Sequence, residues 1–142
     1  MTHKTRHNAR RFAVQALYQW HMTAMDELDL MTQFLAGKSI QTADIDYFQK
    51  LTKGTLAKRA VIDEHIQTHI DRNFDTLHPI ELACMRLGSY ELLDCLDVPY
   101  KVVINEAVEL AKEFGSQDGH KYVNSILDKI AGGVRATEVK SR

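Results

Sequence analysis

The sequence predicts an all-α protein of six or seven helices, and three observations carry that prediction. Apolar residues recur at the i, i+3, i+4, i+7 spacing of one helix face in segment after segment. Alternation of period two never survives more than a few residues. The Asp118-Gly119 pair lies between two helical patterns rather than between two β-like runs, so it signals no hairpin. The 142 residues suffice for one domain or for two small lobes that share a core.

The elements follow in order. From Ala9 the set Phe12, Ala13, Ala16, Leu17 and Trp20 forms one face of a first helix, with Arg10, Arg11, Gln15, Tyr18 and Gln19 on its polar flank. Residues 1–8 are expected to be mobile or only partly helical. A short helix fits Asp26 to Leu35, with Leu28, Met31 and Leu35 on one side and Gly37 at its end. From about Asp44 a longer helix is expected, because Ile45, Phe48, Leu51, Thr55, Ile62, Ile66 and Ile70 track a single stripe. Gly54 interrupts that stripe at a cost of ~1 kcal/mol relative to alanine. The stretch Asn73 to Pro79 breaks the pattern and divides the chain into an N-terminal lobe, 1–75, and a C-terminal lobe, 76–142.

Ile80 to Leu93 is apolar nearly all round, as befits the central helix of the second lobe. Arg86 is its one basic residue and reads as a partly buried ion-pair partner of Glu106, Glu109 or Glu91. The stretch Val98 to Ile130 then reads as two helices joined at a tight corner. Pro99 opens the first, and Val103, Ala107, Leu110, Ala111 and Phe114 make its face. Gly115 is placed for a left-handed C-terminal cap and Asp118 for the next N-cap. Val123, Ile126, Leu127 and Ile130 form the second buried face, Gly132-Gly133 is expected to end it, and the polar tail from Ala136 is expected to fray.

The composition, 44% hydrophobic and 26% charged, is that of an ordinary globular chain, and a net charge of −1 excludes a polycation. The charge is unevenly spread, however. No acid precedes Asp26, whereas Lys4, Arg6, Arg10 and Arg11 do, and His3 and His7 add positive charge at lower pH. Cys84 and Cys95 form no CxxC pair and lie in apolar helical sequence, so buried reduced thiols are expected rather than a disulfide or a zinc site. No run approaches a membrane span and no apolar core follows the basic N-terminus, so the cytoplasm is the expected location.

The motifs of catalysis are missing: there is no GxxxxGK[ST], no GxGxxG after a strand, no HExxH and no GxSxG. His65 and His69 can share a helix face, but a metal ion wants three or four protein ligands, and a solvated face explains them better. Ser116, Asp118 and His120 crowd one turn, where capping accounts for the first two better than a triad does. No catalytic residue, metal or cofactor is expected. Nucleic-acid binding fares better. Lys4, Arg6, Arg10 and Arg11 can neutralise phosphates. Tyr18, Phe114 and Tyr122 can offer stacking faces, and Asp118 can accept a hydrogen bond from a base amino group. A basic first helix is also often plain solvated surface, Phe114 and Tyr122 can equally be core-edge residues, and Tyr18 and Glu81 carry no intrinsic signal.

Several longer blocks add to these patterns. They are Ala13-Val-Gln-Ala-Leu-Tyr18, Asp46-Tyr-Phe48 before Leu51 and Gly54, Leu87-Gly-Ser-Tyr-Glu-Leu-Leu93, Asp97-Val-Pro-Tyr-Lys-Val-Val-Ile-Asn-Glu-Ala-Val-Glu-Leu-Ala-Lys112, Phe114-Gly115, Asp118, and His120-Lys-Tyr-Val-Asn-Ser-Ile-Leu-Asp-Lys129. In order and spacing, from about Arg6 to Ile130, they resemble the NusB family. The resemblance implies two three-helix-like bundles packed together and a role in transcription antitermination without catalysis. It implies pairing with NusE, a small-subunit ribosomal protein, on the single-stranded boxA element of nascent RNA. Other Nus factors and RNA polymerase would complete the assembly and keep elongation processive, notably on ribosomal RNA operons. Carried over by position, the RNA surface would hold Lys4, Arg6, Arg10, Phe114, Asp118, Lys121 and Tyr122, and the partner surface Tyr18, Glu81 and Arg86.

Departures from the family pattern are few. His3, His7 and Asn8 interrupt the N-terminal arginine run, Tyr122 stands where phenylalanine is common and keeps a stacking face, and Ser125 stands where glycine is common. An RNA-independent helical interaction module is the main alternative, and a homodimer that covers the RNA site is another. A domain fused before an RNA cytosine methyltransferase is disfavoured by the short tail after Ile130.

Overall fold

The computed structural model describes residues 3–141, with side chains from Thr5 onward. It is built of α1 (His3–Thr23), α2 (Glu27–Ala36), α3 (Ile45–Ala57), α4 (Arg59–His69), α5 (Pro79–Asp94), α6 (Tyr100–Phe114), α7 (Gly119–Val134) and α8 (Ala136–Lys140). Short 3₁₀ turns at Lys38–Thr42 and Phe74–Thr76 lie in two of the connections, and no strand occurs among the described residues.

Helix α5 is the axle of the fold. Every residue from Glu81 to Leu92 is buried, and α5 packs against α1, α3, α4, α6 and α7. An all-round apolar helix has no solvent face to offer, so it must take the centre. His78 caps it, accepting a hydrogen bond from the Ile80 N–H through Nδ1 at 3.2 Å, and Pro79 occupies the first turn, where its missing N–H costs nothing.

Four expectations about the helices need correction. Helix α1 begins at His3 rather than at Ala9. Its first turns are tied down: the Asp44 N–H donates to Thr5 O at 3.0 Å, and Asn8 Nδ2 donates to Thr42 O at 3.1 Å. In α2, Leu30 and Met31 turn inward while Leu28 is 73% exposed. The long helix from Asp44 is two helices, broken at Lys58 (φ −106°, ψ 16°). The Tyr90 ring of α5 lies so close over Gly54 that any Cβ there would overlap it, which lets α3 approach α5 tightly. After the break, α4 leaves to pack on α5 and α7. Both segments bury the same apolar stripe, so periodicity alone could not reveal the break.

The fourth correction concerns the C-terminus. Helix α7 runs straight through Gly132 and Gly133, and the tail forms α8 instead of fraying. Arg135 explains why. Its buried guanidinium donates to the carbonyls of Leu92 (2.8 Å), Val98 (3.1 Å), Cys95 (3.1 Å) and Glu91 (3.2 Å), and to Glu138 Oε1 at 2.6 Å. It thereby ties carbonyls at the end of α5 and in the turn that follows to the start of α8. Glu138 in turn accepts from the Tyr100 N–H at 2.8 Å, at the start of α6.

Two further arginines lie inside. Arg10 is only 2% exposed. Its Nε and Nη2 grip the Glu91 carboxylate at 2.9–3.1 Å and its Nη1 donates to Glu106 at 3.1 Å. The Tyr47 hydroxyl donates to Glu91 at 2.5 Å, and His7 Nδ1 lies 2.8 Å from Glu106 Oε1. Burial opposes the charge on Arg10, but Glu91 more than restores it, so the guanidinium holds its proton more tightly than a free arginine. Arg86 is also a buried ion-pair partner, but of Asp63 on α4, through two bonds of 2.9 Å, rather than of a glutamate. Cys84 and Cys95 are free and buried, and burial pushes the Cys84 thiol up to about 12.

Candidate nucleic-acid interface

The corner between α6 and α7 is built around one carboxylate. Glu81, near the start of α5, accepts from the Ser116 N–H at 2.8 Å and from the Ser116 hydroxyl at 3.1 Å. A Cβ at Gly115 or Gly119 would run into this carboxylate, which is the reason for glycine at both positions. Gly115 is extended (φ −95°, ψ −168°) rather than left-handed, so it serves close approach and not a left-handed cap. Asp118 occupies the N-cap position of α7 without making a side-chain cap bond. The anion near the α7 N-terminus is Glu81, which complements the helix dipole there. Asp118 points outward and pairs with Lys121 at 3.4 Å, both side chains more than 70% exposed.

On one side of the corner lies Phe114, half-buried, with the Arg11 guanidinium 5.4 Å from its ring centroid. Arg11 also donates to Glu113 at 2.6 Å, which fixes its place beside the ring. Phe114 helps line an apolar groove of about 390 Å³, together with Gln15, Tyr18, Met22, Phe34 and Ile80. Phe114 and Tyr18, assigned by resemblance to different surfaces, thus share one groove.

On the other side lies Tyr122. Arg72 stacks on its ring at 4.2 Å, and Asp71 accepts hydrogen bonds from Arg72 Nε (3.0 Å) and from the Tyr122 hydroxyl (3.2 Å). These two bonds hold the Asp71 carboxyl below the usual carboxylate range. A cleft of about 370 Å³ opens here, lined by Arg72, Thr76, His78, Glu81, Asp118 and Tyr122 among others.

The structure therefore brings Phe114, Asp118, Lys121 and Tyr122 together on one corner, but it does not bring every expected residue there. Arg10, expected on the polar flank of α1, is withdrawn into the core by its two glutamates. Glu81, expected on the partner surface, is buried beneath the corner and supports it. Arg86 lies behind Asp63 and His21. Arg6 stacks on Tyr47 at 4.2 Å and reaches Asp97 at 3.9 Å, near the opposite end of α6. At ~1.5 Å per residue that end is about 20 Å from Phe114. The side chain of Lys4 lies outside the described residues. Two cationic residues stand where none was assigned: Arg11, noted only as part of the basic N-terminus, and Arg72, which had no signal because it falls between the last stripe residue, Ile70, and the aperiodic stretch from Asn73. Among the described residues no three His, Cys, Asp or Glu side chains converge as a metal site requires, and no helix is long and apolar enough to cross a membrane.

The comparisons with known proteins agree with this architecture. The family model described as "NusB family" matches residues 7–132. The chain is 49% identical over 135 residues to the transcription antitermination protein NusB of Coxiella burnetii (strain RSA 493 / Nine Mile phase I), covering 95% of this chain and 98% of that one. It is 53% identical over 127 residues to the protein of the same name from Shewanella woodyi (strain ATCC 51908 / MS32), covering 89% and 95%. Among solved structures, it is similar to T. maritima NusB, with a TM-score of 0.80 and 28% identity over 96% of this chain and 99% of that one. It is also similar to NusB in a crystal structure of the antitermination factors NusB and NusE in complex with dsRNA, with a TM-score of 0.82 and 27% identity over 91% and 97%. On this evidence the chain belongs to the NusB family.

Proposed function

We propose that this chain is a transcription antitermination factor that binds RNA and a NusE-like protein on adjoining surfaces of the α6–α7 corner. The observation that carries the reading is the position of Phe114. Its ring has Arg11 beside it and helps line the groove shared with Tyr18. A cation beside a half-buried aromatic at the surface suits single-stranded RNA. An apolar groove rimmed by glutamines suits a protein. The relatives named NusB, and a NusB structure containing NusE and RNA, support the same pairing.

On this reading the RNA surface comprises Arg11, Phe114, Asp118, Lys121 and Tyr122, with Arg6 farther along α1. Tyr18 marks the partner groove, and Glu81 and Arg86 hold these surfaces from beneath. Arg10 acts in the core and contacts no phosphate. The RNA class is boxA-like, and the assembly on RNA polymerase with other Nus factors is its setting in the cytoplasm. The role requires no catalytic step.

Fluorescence anisotropy of a labelled boxA-like RNA, with and without NusE and against a scrambled RNA, tests the reading. Sequence-selective binding that tightens with the partner is expected. Binding of NusE with no RNA selectivity in either case, once a sizing column has excluded a homodimer, would favour the RNA-independent interaction module instead.

A further inference from the structure

The groove beside Tyr18 carries an oxidisable side chain. Met22, in the last turn of α1, is 56% exposed and lines the groove with Tyr18, Phe34, Ile80 and Phe114. An exposed thioether is open to oxidants, whereas a packed one is shielded. The other described methionines are less open. Met31 and Met85 are buried in the core. Met25 is half-buried, and its sulfur accepts a hydrogen bond from Gln19 Nε2 at 3.5 Å. The thiols offer no competing target. Cys84 and Cys95 are buried, and desolvation pushes both thiols up, away from the reactive thiolate.

The groove is a poor place for a sulfoxide once it is covered. A sulfoxide oxygen needs a hydrogen-bond donor. The Gln19 amide on the rim is already committed to Gln33 and to Met25. Water supplies the donor while the groove is open, and a protein that covers the groove removes that water.

We propose that Met22 is a redox modification site: a peroxide converts its thioether to the sulfoxide, and the modified groove then holds its protein partner less tightly. This rests on the NusE-like reading of the groove above and adds a reversible control to it. The sulfur lone pair attacks one peroxide oxygen, and the S–O bond forms as the O–O bond breaks. The departing oxygen takes the proton of the transferred one and leaves as water. The sulfur loses an electron pair and the peroxide gains it. A methionine sulfoxide reductase, drawing on a dithiol, reverses the step.

The test treats the intact chain with dilute hydrogen peroxide, removes the oxidant with catalase, and titrates untreated NusE by calorimetry. Fragment mass spectrometry locates the added oxygen, and each chain is compared with itself before and after treatment. The unaltered chain should gain oxygen at Met22 before Met25, Met31 or Met85. It should then lose roughly tenfold in NusE affinity, the scale of one polar group buried without a partner. Methionine sulfoxide reductase should restore the affinity, and NusE bound before the peroxide is added should protect Met22. Met22→Leu should hold its own starting affinity through the treatment, whereas Met25→Leu should still show the loss. An affinity loss that persists in treated Met22→Leu overturns the proposal. So does a chain oxidised at Met22 that binds NusE as tightly as before, or one whose far-UV circular dichroism shows lost helix, because that marks damage to the fold. An untreated chain that binds no NusE overturns the partner reading itself, and this site with it.

Discussion

At the scale of single residues, the chain shows how burial reassigns a charged side chain. Arg10 lies in a basic N-terminal run, yet Glu91 and Glu106 close on it from α5 and α6. Removing one member of such a pair leaves uncompensated charge inside, so Arg10→Ala should destabilise the fold by about 3–5 kcal/mol. Urea unfolding measures this, and the folded variant at low temperature should keep near-normal RNA affinity. Loss of RNA affinity with unchanged stability would instead return Arg10 to the surface site. Cys84 supplies a pH prediction. Its thiol ionises near 9 when unfolded, whereas desolvation first, and then the charge of Glu81, push it up to about 12 in the fold. The folded chain therefore binds the extra proton between those values, so this contribution to stability is intact below pH 9 and is lost as pH rises toward 12. Cys84→Ala should flatten that part of the alkaline decline, as read from denaturant midpoints across the pH range. Midpoints of the two chains that fall in parallel would exclude the thiol as the cause.

At the scale of helices, the glycines separate into two kinds. Gly54 sits under the Tyr90 ring with no room for a methyl group, whereas nothing lies within 4 Å of a Cβ built at Gly132 or Gly133. Gly54→Ala should therefore cost about 1–3 kcal/mol through overpacking. Gly132→Ala should add about 0.5–1 kcal/mol through helix propensity. Opposite shifts in thermal midpoint check both at once, and shifts of the same sign would refute the packing argument. These residues also mark what could be read in advance. The apolar stripes located most helices, the α5 core and the α6–α7 corner, because burial imposes their period. The break at Lys58 was hidden because α3 and α4 bury one uninterrupted stripe. The continuation through Gly132-Gly133 was hidden because the cause, Arg135 bonded to the end of α5, lies about 40 residues away in sequence. The residues at the corner were recognisable from their types and from the family resemblance. Arg10 and Glu81 could not be placed, because whether an ion faces water or its partner depends on helix packing.

At the scale of the whole molecule, α5 joins α1, α3, α4, α6 and α7. It carries Glu81 at one end, beneath the α6–α7 corner, and Glu91 at the other, clasped to α1 by Arg10. The backbone of the corner is thus fixed to the centre of the core through Glu81 and Ser116 rather than hung on a free loop. Preorganisation of this kind lowers the entropic cost of binding. The central claim is that RNA is read at this corner. Its most direct test is a titration of ¹⁵N-labelled chain with boxA-like RNA in the presence of unlabelled NusE, followed by amide chemical shifts relative to the binary complex. Shifts are expected to concentrate at residues 114–122, around Arg72, and along the Arg6–Arg11 side of α1, with α2 and α8 silent. RNA-dependent shifts centred on α2 or α8, with the corner unmoved, would contradict it.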